Sequence, residues 1–339
     1  MGQGYIPYEP YHPHLGYTIA LTLLVWVGVF FYTQRSLQHH PRIRVILYGI
    51  AIMFPIYAEL ASFAIYAIRP AADTPIGYVL AHIHANIINH LPIDTFLTTT
   101  IQTLAIAIVA ALCLISWARY LYGSFLLSRY LASAQLFTEQ DHPALAIELG
   151  DTAATQRVRI PQLLLIDSPA PLALTTGIFR PRVYLSRQLL EMLTTDELLA
   201  VICHEWAHIL RRDNLWNWAM RLLRDLLSFV PTTQIFWRSM IASQDEACDA
   251  LAVRMTGQPL VLARALVKVA AAWSKQHHPV VELAAASPFA LAASDPTARV
   301  EQMIWIETEI TPANHQAIWA YLLIAIALLL GVLPALLGS

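Results

Sequence analysis

Three residues in the segment His204-Glu205-Trp206-Ala207-His208 have the types and spacing for hydrolytic chemistry. On a helix, positions i and i+4 lie one turn apart on the same face, so both imidazoles can reach a single zinc ion. Glu205 stands beside the first of them, where its carboxylate can take a proton from the water that attacks a peptide carbonyl. A chain with 13 histidines among 339 residues produces this HExxH pattern by accident only about 0.02 times. The spacing is therefore read as a zinc-dependent hydrolytic centre.

Hydrolytic zinc sites take three protein ligands and keep a fourth position open. The run Gln244-Asp245-Glu246-Ala247-Cys248-Asp249 offers the third, on a second helical stretch spanning 241–256. Asp245 and Asp249 lie one turn apart on one face, so one can bind the metal while the other accepts a hydrogen bond from a ligating imidazole and fixes its tautomer. Glu246, with its longer reach, is the competing ligand. Cys203 and Cys248 adjoin these positions and are read as small core residues.

The elements that hold these residues are legible around them. Thr194-Thr195-Asp196-Glu197 matches a capping box, in which the threonine hydroxyl satisfies an early amide and the glutamate reaches back. It predicts a helix over 195–212 that is apolar around most of its circumference, so its polar residues need a functional explanation. Upstream, Leu163–Ile166 is a short apolar run between prolines, which suits a buried strand. Leu172–Thr175 and Arg182–Leu185 flank Gly177 and Pro181 and read as a hairpin or a pair of edge strands. An exposed edge at Leu172–Thr175 would let a substrate strand add to the sheet. Downstream, Leu215–Val230 is amphipathic. It suits either a helix at the membrane interface anchored by Trp216 and Trp218, or one packed on the helix of the histidines.

The chain is 57% apolar and only 13% charged, against about 25% charged in an ordinary soluble domain. A net charge of −2, from 21 basic and 23 acidic residues, argues against nucleic acid as a partner. Three cysteines make no disulfide framework. Four stretches approach or exceed the roughly 20 apolar residues that cross a bilayer: Leu15–Thr33, Val45–Ile68, Thr100–Ala118 and Ala317–Leu337. The expected fold is a mainly α membrane protein with a cytoplasmic α+β zincin-like domain between the third and fourth spans. Its expected divisions are 1–123, holding three spans, then 124–316, then 317–339. The loop Gln34–Arg44 holds Arg35, Arg42 and Arg44 and no acid, which places it, and the segment 119–316, in the cytoplasm. The first span lacks a basic leader and a cleavage site and reads as a retained anchor. Glu59 lies inside the second span, and His82, His84 and His90 lie in the outer loop. Glu59 is read as protonated or hydrogen-bonded within the bundle. The three histidines are not read as a metal site.

The segment HEWAHILRRDNLWN at 204–217, followed by DEACDALAV at 245–253, resembles the BlaR/MecR-type integral-membrane zinc peptidases. More distantly it is similar to HtpX-like and CAAX prenyl protease metallopeptidases. The upstream stretch PLALTTGIFRPRVYLSRQLLEMLTTDELLAVICHEWAH and the order of spans carry the same resemblance. It implies a zinc endopeptidase of the bacterial inner membrane, with His204 and His208 as ligands, Glu205 as base and Asp249 as an orienting residue. Its substrate would be a protein or peptide, such as a transcriptional repressor, in signal transduction. These families usually place Glu at the position held here by Asp245, which leaves Asp245 and Glu246 both open as the third ligand. Antibiotic-sensing members carry a penicillin-binding domain after the last span. Leu337–Ser339 leaves no room for one, so peptidase chemistry without β-lactam sensing is expected. An HtpX-like role in membrane-protein quality control, and a non-catalytic receptor with a structural zinc, are the alternatives.

Overall fold

A computed structural model of the chain describes residues 14–37, 40–68, 95–227, 230–273 and Arg299. These fall into two compact units. The first takes in 14–36, 47–68 and 95–108; the second takes in 37, 40–46, 109–227, 230–273 and Arg299. The protein is mainly helical, with one small mixed sheet.

In the first unit, helix α1 (His14–Ser36) covers the first predicted span and helix α2 (Pro41–Ile68) contains the second. Trp26 Nε1 donates to the Ala51 carbonyl at 2.8 Å, and Val25 packs with Phe54 and Ala58. The third predicted span lies on helix α3 (Thr95–Leu131), which runs on past Ala118. No proline or glycine pair interrupts that stretch, so nothing ends the helix where its apolar character fades. Among the described residues, two stretches are long and apolar enough to cross a membrane, Pro41–Ala58 and Ala107–Leu131. Half of the first is buried inside the protein, while the second is exposed or partly buried until Leu127. The fourth predicted span, the outer-loop histidines and the Glu59 side chain lie outside the described residues.

The second unit is built on a four-stranded sheet: β1 (Gln135–Leu136), β2 (Gln162–Ile166), β3 (Ala173–Thr176) and β4 (Arg182–Ser186), in the order β1-β2-β4-β3. β2 and β4 are parallel, with Leu164 opposite Tyr184; β3 returns antiparallel on β4, with Leu174 opposite Tyr184. The predicted hairpin is thus formed, and Gly177 turns it at φ +102, where an added Cβ would meet the Arg180 carbonyl at 2.7 Å. Both faces of the sheet are covered. Leu163, Leu165, Ala173, Val183 and Leu185 join the main core, while Leu164, Ile166, Leu174 and Tyr184 pack with Leu127 and Leu131 of α3. Coverage on both faces is why β2 is apolar at every core position instead of alternating.

Helices α4 (Pro143–Gln156), α5 (Arg187–Met192), α6 (Thr195–Arg211), α7 (Asp213–Leu226), α8 (Pro231–Thr256) and α9 (Pro259–Trp273) complete the unit. α6 lies at its centre, against α8, α9, α4 and β3. It starts at the predicted capping box: Thr194 Oγ1 accepts from the Glu197 amide, and the Thr194 amide donates to Glu197 Oε2 at 3.0 Å. It stops where Arg212 turns left-handed at φ +57. α8 begins at Pro231, ten residues before the predicted stretch, because proline at its first position leaves no amide unsatisfied.

Burial alone would push the Glu197 carboxyl up. A hydrogen bond from Lys268 Nζ at 2.7 Å, the Thr194 amide and the lysine charge outweigh it, and hold the carboxyl below its ordinary 4.5. A depressed carboxyl contributes stability that is present above its unfolded pKa and lost as pH falls through the folded one. Wild type is therefore expected to melt at a higher temperature than Glu197→Gln at neutral pH, with the gap closing as the pH drops below 4.5. A gap in detergent-solubilised Tm that does not change with pH would contradict this.

Candidate metal and hydrolytic site

Position along α6 determines what its polar residues meet. His204, Glu205 and His208 sit in the second half of a helix buried on nearly every side, and His204 and Glu205 are themselves buried. The His204 and His208 rings stand 4.9 Å apart, edge to face. α8 crosses beside them and brings Asp245 to within 3.9 Å of His208 Nε2. One donor atom from each of His204, His208 and Asp245 lies within 4.8 Å of the others. Ligand atoms held tetrahedrally at about 2.0–2.2 Å from zinc stand roughly 3.4 Å apart. Small side-chain rotations would therefore bring these three donors onto one ion, and two imidazoles with a carboxylate are a donor set that zinc accepts.

Each imidazole is backed by an acid on its other nitrogen. His204 Nδ1 lies 2.8 Å from Asp249 Oδ1, an ion-pair contact whose alignment falls short of a hydrogen bond. Asp249 is gripped from behind by Arg299, whose Nε and Nη2 donate at 2.7 and 2.6 Å. Burial works against the Asp249 charge, but Arg299 and His204 outweigh it and hold the carboxyl far below the usual range; Arg299 is held correspondingly high. His208 Nδ1 lies 2.9 Å from Asp213 Oδ2, which also accepts from Arg211 Nε at 3.1 Å. Burial opposes charge on His208, yet the Asp213 carboxylate against Nδ1 outweighs it and raises its pKa well above the usual value.

Glu205 points to the sheet. Its Oε2 accepts from Thr175 Oγ1 at 2.7 Å, and both residues are buried. Thr175 reaches it because β3 is an edge strand whose residues 173 and 175 face α6. Asn214, at the start of α7, donates to the Gly177 carbonyl at 3.0 Å and ties the end of that strand to the site.

Of the sequence candidates, the structure brings His204, His208 and Asp245 together, sets Asp249 behind His204 and places Glu205 alongside. Glu246 goes elsewhere. One residue on from Asp245 it is rotated by about 100° around the helix axis, and it forms an ion pair with Arg44 at the start of α2. Cys248 is fully buried, with its sulfur 3.3 Å from both His208 Nδ1 and Asp213 Oδ2. Burial lifts its thiol to about 11, so it is a neutral neighbour at pH 7 and not a thiolate. No role in the site is predicted from sequence for Asp213, Thr175, Arg44 or Arg299. Asp213 had a signal, as an acid five residues beyond His208 where the apolar pattern stops. The two arginines had none, because their partners lie 202 and 50 residues away.

The model of the BlaR1 peptidase M56 family matches residues 18–300 of this chain. The chain belongs to that family. Among curated relatives, this family member is 32% identical over 93 residues to protease HtpX homolog 1 of Sulfurisphaera tokodaii, covering 26% of this chain and 30% of that one. It is 27% identical over 121 residues to the HtpX homolog of Thermoplasma acidophilum, covering 35% and 38%. The HtpX homolog of Acidiphilium cryptum matches over 170 residues at 26% identity, covering 40% and 59%. Each alignment takes in less than two thirds of the relative's own length. The crystal structure of S. mikatae Ste24p aligns with 85% of this chain and 97% of that one, at 14% identity and a TM-score of 0.34.

Residues behind metal-bound histidines typically govern affinity by 10–100-fold, a range of about 1–3 kcal/mol. Asp245→Ala is expected to lose tightly bound metal on purification and Glu246→Ala to keep it. Asp249→Ala and Arg299→Gln are expected to weaken zinc affinity by about 10–100-fold without removing it. Metal analysis and chelator competition check both; loss of metal in Glu246→Ala with retention in Asp245→Ala would reverse the assignment.

Proposed function

We propose that the protein is a membrane zinc endopeptidase in which His204, His208 and Asp245 hold the metal and Glu205 is the general base. The convergence of those three donor atoms within 4.8 Å, beside a carboxylate on the same helix, carries the reading. Zinc held by these residues would supply a Lewis acid for the scissile carbonyl. Glu205 takes the proton of the attacking water and returns it to the leaving amine. The Thr175 hydroxyl fixes which way the Glu205 carboxylate points. Asp249, backed by Arg299, and Asp213 hold the two imidazoles at Nδ1, so that Nε2 of each would be the atom to hold the metal. The outer edge of β3, which pairs with no other strand among the described residues, receives the substrate as an added strand that lays a peptide bond along the site.

In the proposed arrangement three spans lie within 1–123, the peptidase domain within 124–316 and a fourth span within 317–339, with the site toward the cytoplasm of a bacterial inner membrane. The substrate proposed first is a cytoplasmic or membrane-associated protein, such as a transcriptional repressor cleaved in response to a signal, as family membership suggests. Similarity to proteins named HtpX supports a second reading, turnover of membrane proteins. A base beside the ligands argues against a purely structural zinc, which has no use for one.

Purified wild-type protein and Glu205→Gln are each expected to hold about one zinc, and only the wild type is expected to cleave membrane-protein or peptide substrates. Equal cleavage by both would remove Glu205 from its role. Metal-loaded wild type without proteolysis on either substrate class would favour the structural-zinc alternative.

A further inference from the structure

Helix α7 is amphipathic the wrong way round for a soluble domain. Its buried side carries Asp213, Asn214, Asn217 and Asp225, with Met220 as the one apolar residue among them. Its outward side carries Leu215, Leu222 and Leu226, exposed at 41%, 44% and 50% and spaced along one stripe. A helix on the surface of a water-soluble core turns its apolar stripe inward and its charges out.

The neighbour of the buried side identifies what lies on the other. α7 rests against α3 within Ala107–Leu131, a stretch long and apolar enough to cross a bilayer whose residues are exposed or only partly buried until Leu127. Cys113 Sγ donates to the Asp225 carbonyl at 3.0 Å and Ser116 Oγ to Asp225 Oδ2 at 2.8 Å. Trp117 meets Trp218 edge to face at 6.3 Å, and the Arg221 guanidinium lies 4.6 Å over the Tyr120 ring. These contacts use residues 113, 116, 117 and 120 of α3, one face of that helix. Leu112, Leu114 and Ile115 point outward at the same level, so the apolar stripe of α7 continues the apolar surface of α3. Where water is absent, polar groups must be satisfied between helices, and Ser116, Asp225 and the adjoining Arg224 do this.

We propose that α7 is embedded in the bilayer alongside α3, its Leu215–Leu226 stripe against lipid acyl chains. Its first turn holds Asp213 and Asn214 at the hydrolytic site, and its 14 residues run about 21 Å from there into lipid. Where the peptidase reading of the preceding subsection holds, this places the scissile bond at the membrane surface and selects substrates anchored in the same bilayer.

The test uses wild-type protein in proteoliposomes containing a phospholipid with a diazirine in its acyl chain, followed by peptide mapping. Acyl adducts are expected on 213–226 as well as on 107–131. Adducts on 107–131 alone overturn the embedding of α7, and adducts on neither overturn the reading of α3 as a span as well; peptide cleavage by the same sample reports on the hydrolytic reading separately. A second measurement places a nitroxide at Leu215→Cys or Leu222→Cys in a Cys113→Ala background, with Glu148→Cys as an aqueous control. Collision with oxygen is expected to exceed collision with a water-soluble nickel chelate at 215 and 222, and the reverse at 148. Preference for the chelate at 215 and 222, or protection from both reagents as under a second protein, overturns the proposal.

Discussion

An ionisable side chain inside a helical core must be compensated where it lies, because an unpaired charge there costs several kcal/mol. That requirement organises everything around α6. His204, Glu205, Asp213, Asp245 and Asp249 are all buried among leucines, valines and a tryptophan that would otherwise exclude them. Each has a specific partner: Asp249 takes Arg299, Asp213 takes Arg211 and His208, and Glu205 takes the Thr175 hydroxyl. Alongside these pairings, one donor atom from each of His204, His208 and Asp245 lies within 4.8 Å of the others. That convergence is what the proposed metal would occupy.

The geometry of the set follows from two local features. The first is the 3.6-residue period of α8, which puts Asp245 and Asp249 on the side of α6 while turning Glu246 to Arg44. The second is the left-handed Arg212, which ends α6 and immediately begins α7, so that Asp213 folds back under His208 and Asn214 reaches the hairpin. A non-glycine residue in that conformation costs roughly 1–2 kcal/mol. The contacts of residues 213 and 214 offset this, so a strained junction sits where the site needs two adjacent side chains aimed in different directions.

Much of this was legible in the sequence because the signals are local. The capping box starts α6 at Thr195, the apolar runs become β2, β3 and β4, and HExxH places three site residues on one helix by spacing alone. Where two acids stood side by side, reach and spacing left Asp245 and Glu246 open, since the choice depends on the rotation of α8 about its axis against α6. Arg44 and Arg299 were illegible for a different reason: each is a lone arginine whose partner is set by tertiary packing across a long loop. The amphipathic segment after α6 was legible as amphipathic, but its direction was not. Asp213, Asn214, Asn217 and Asp225 would suit a solvated face until packing turns them inward.

The hydrolytic reading depends on which atoms surround the metal. X-ray absorption at the zinc edge of the purified protein reads them directly. The account predicts a first shell of nitrogen and oxygen alone at about 2.0–2.2 Å, with the outer-shell scattering of two imidazoles. A sulfur at about 2.3 Å would put the ion instead between His208, Asp213 and Cys248, the second cluster of donor atoms in the structure, and would contradict the assignment of Asp245.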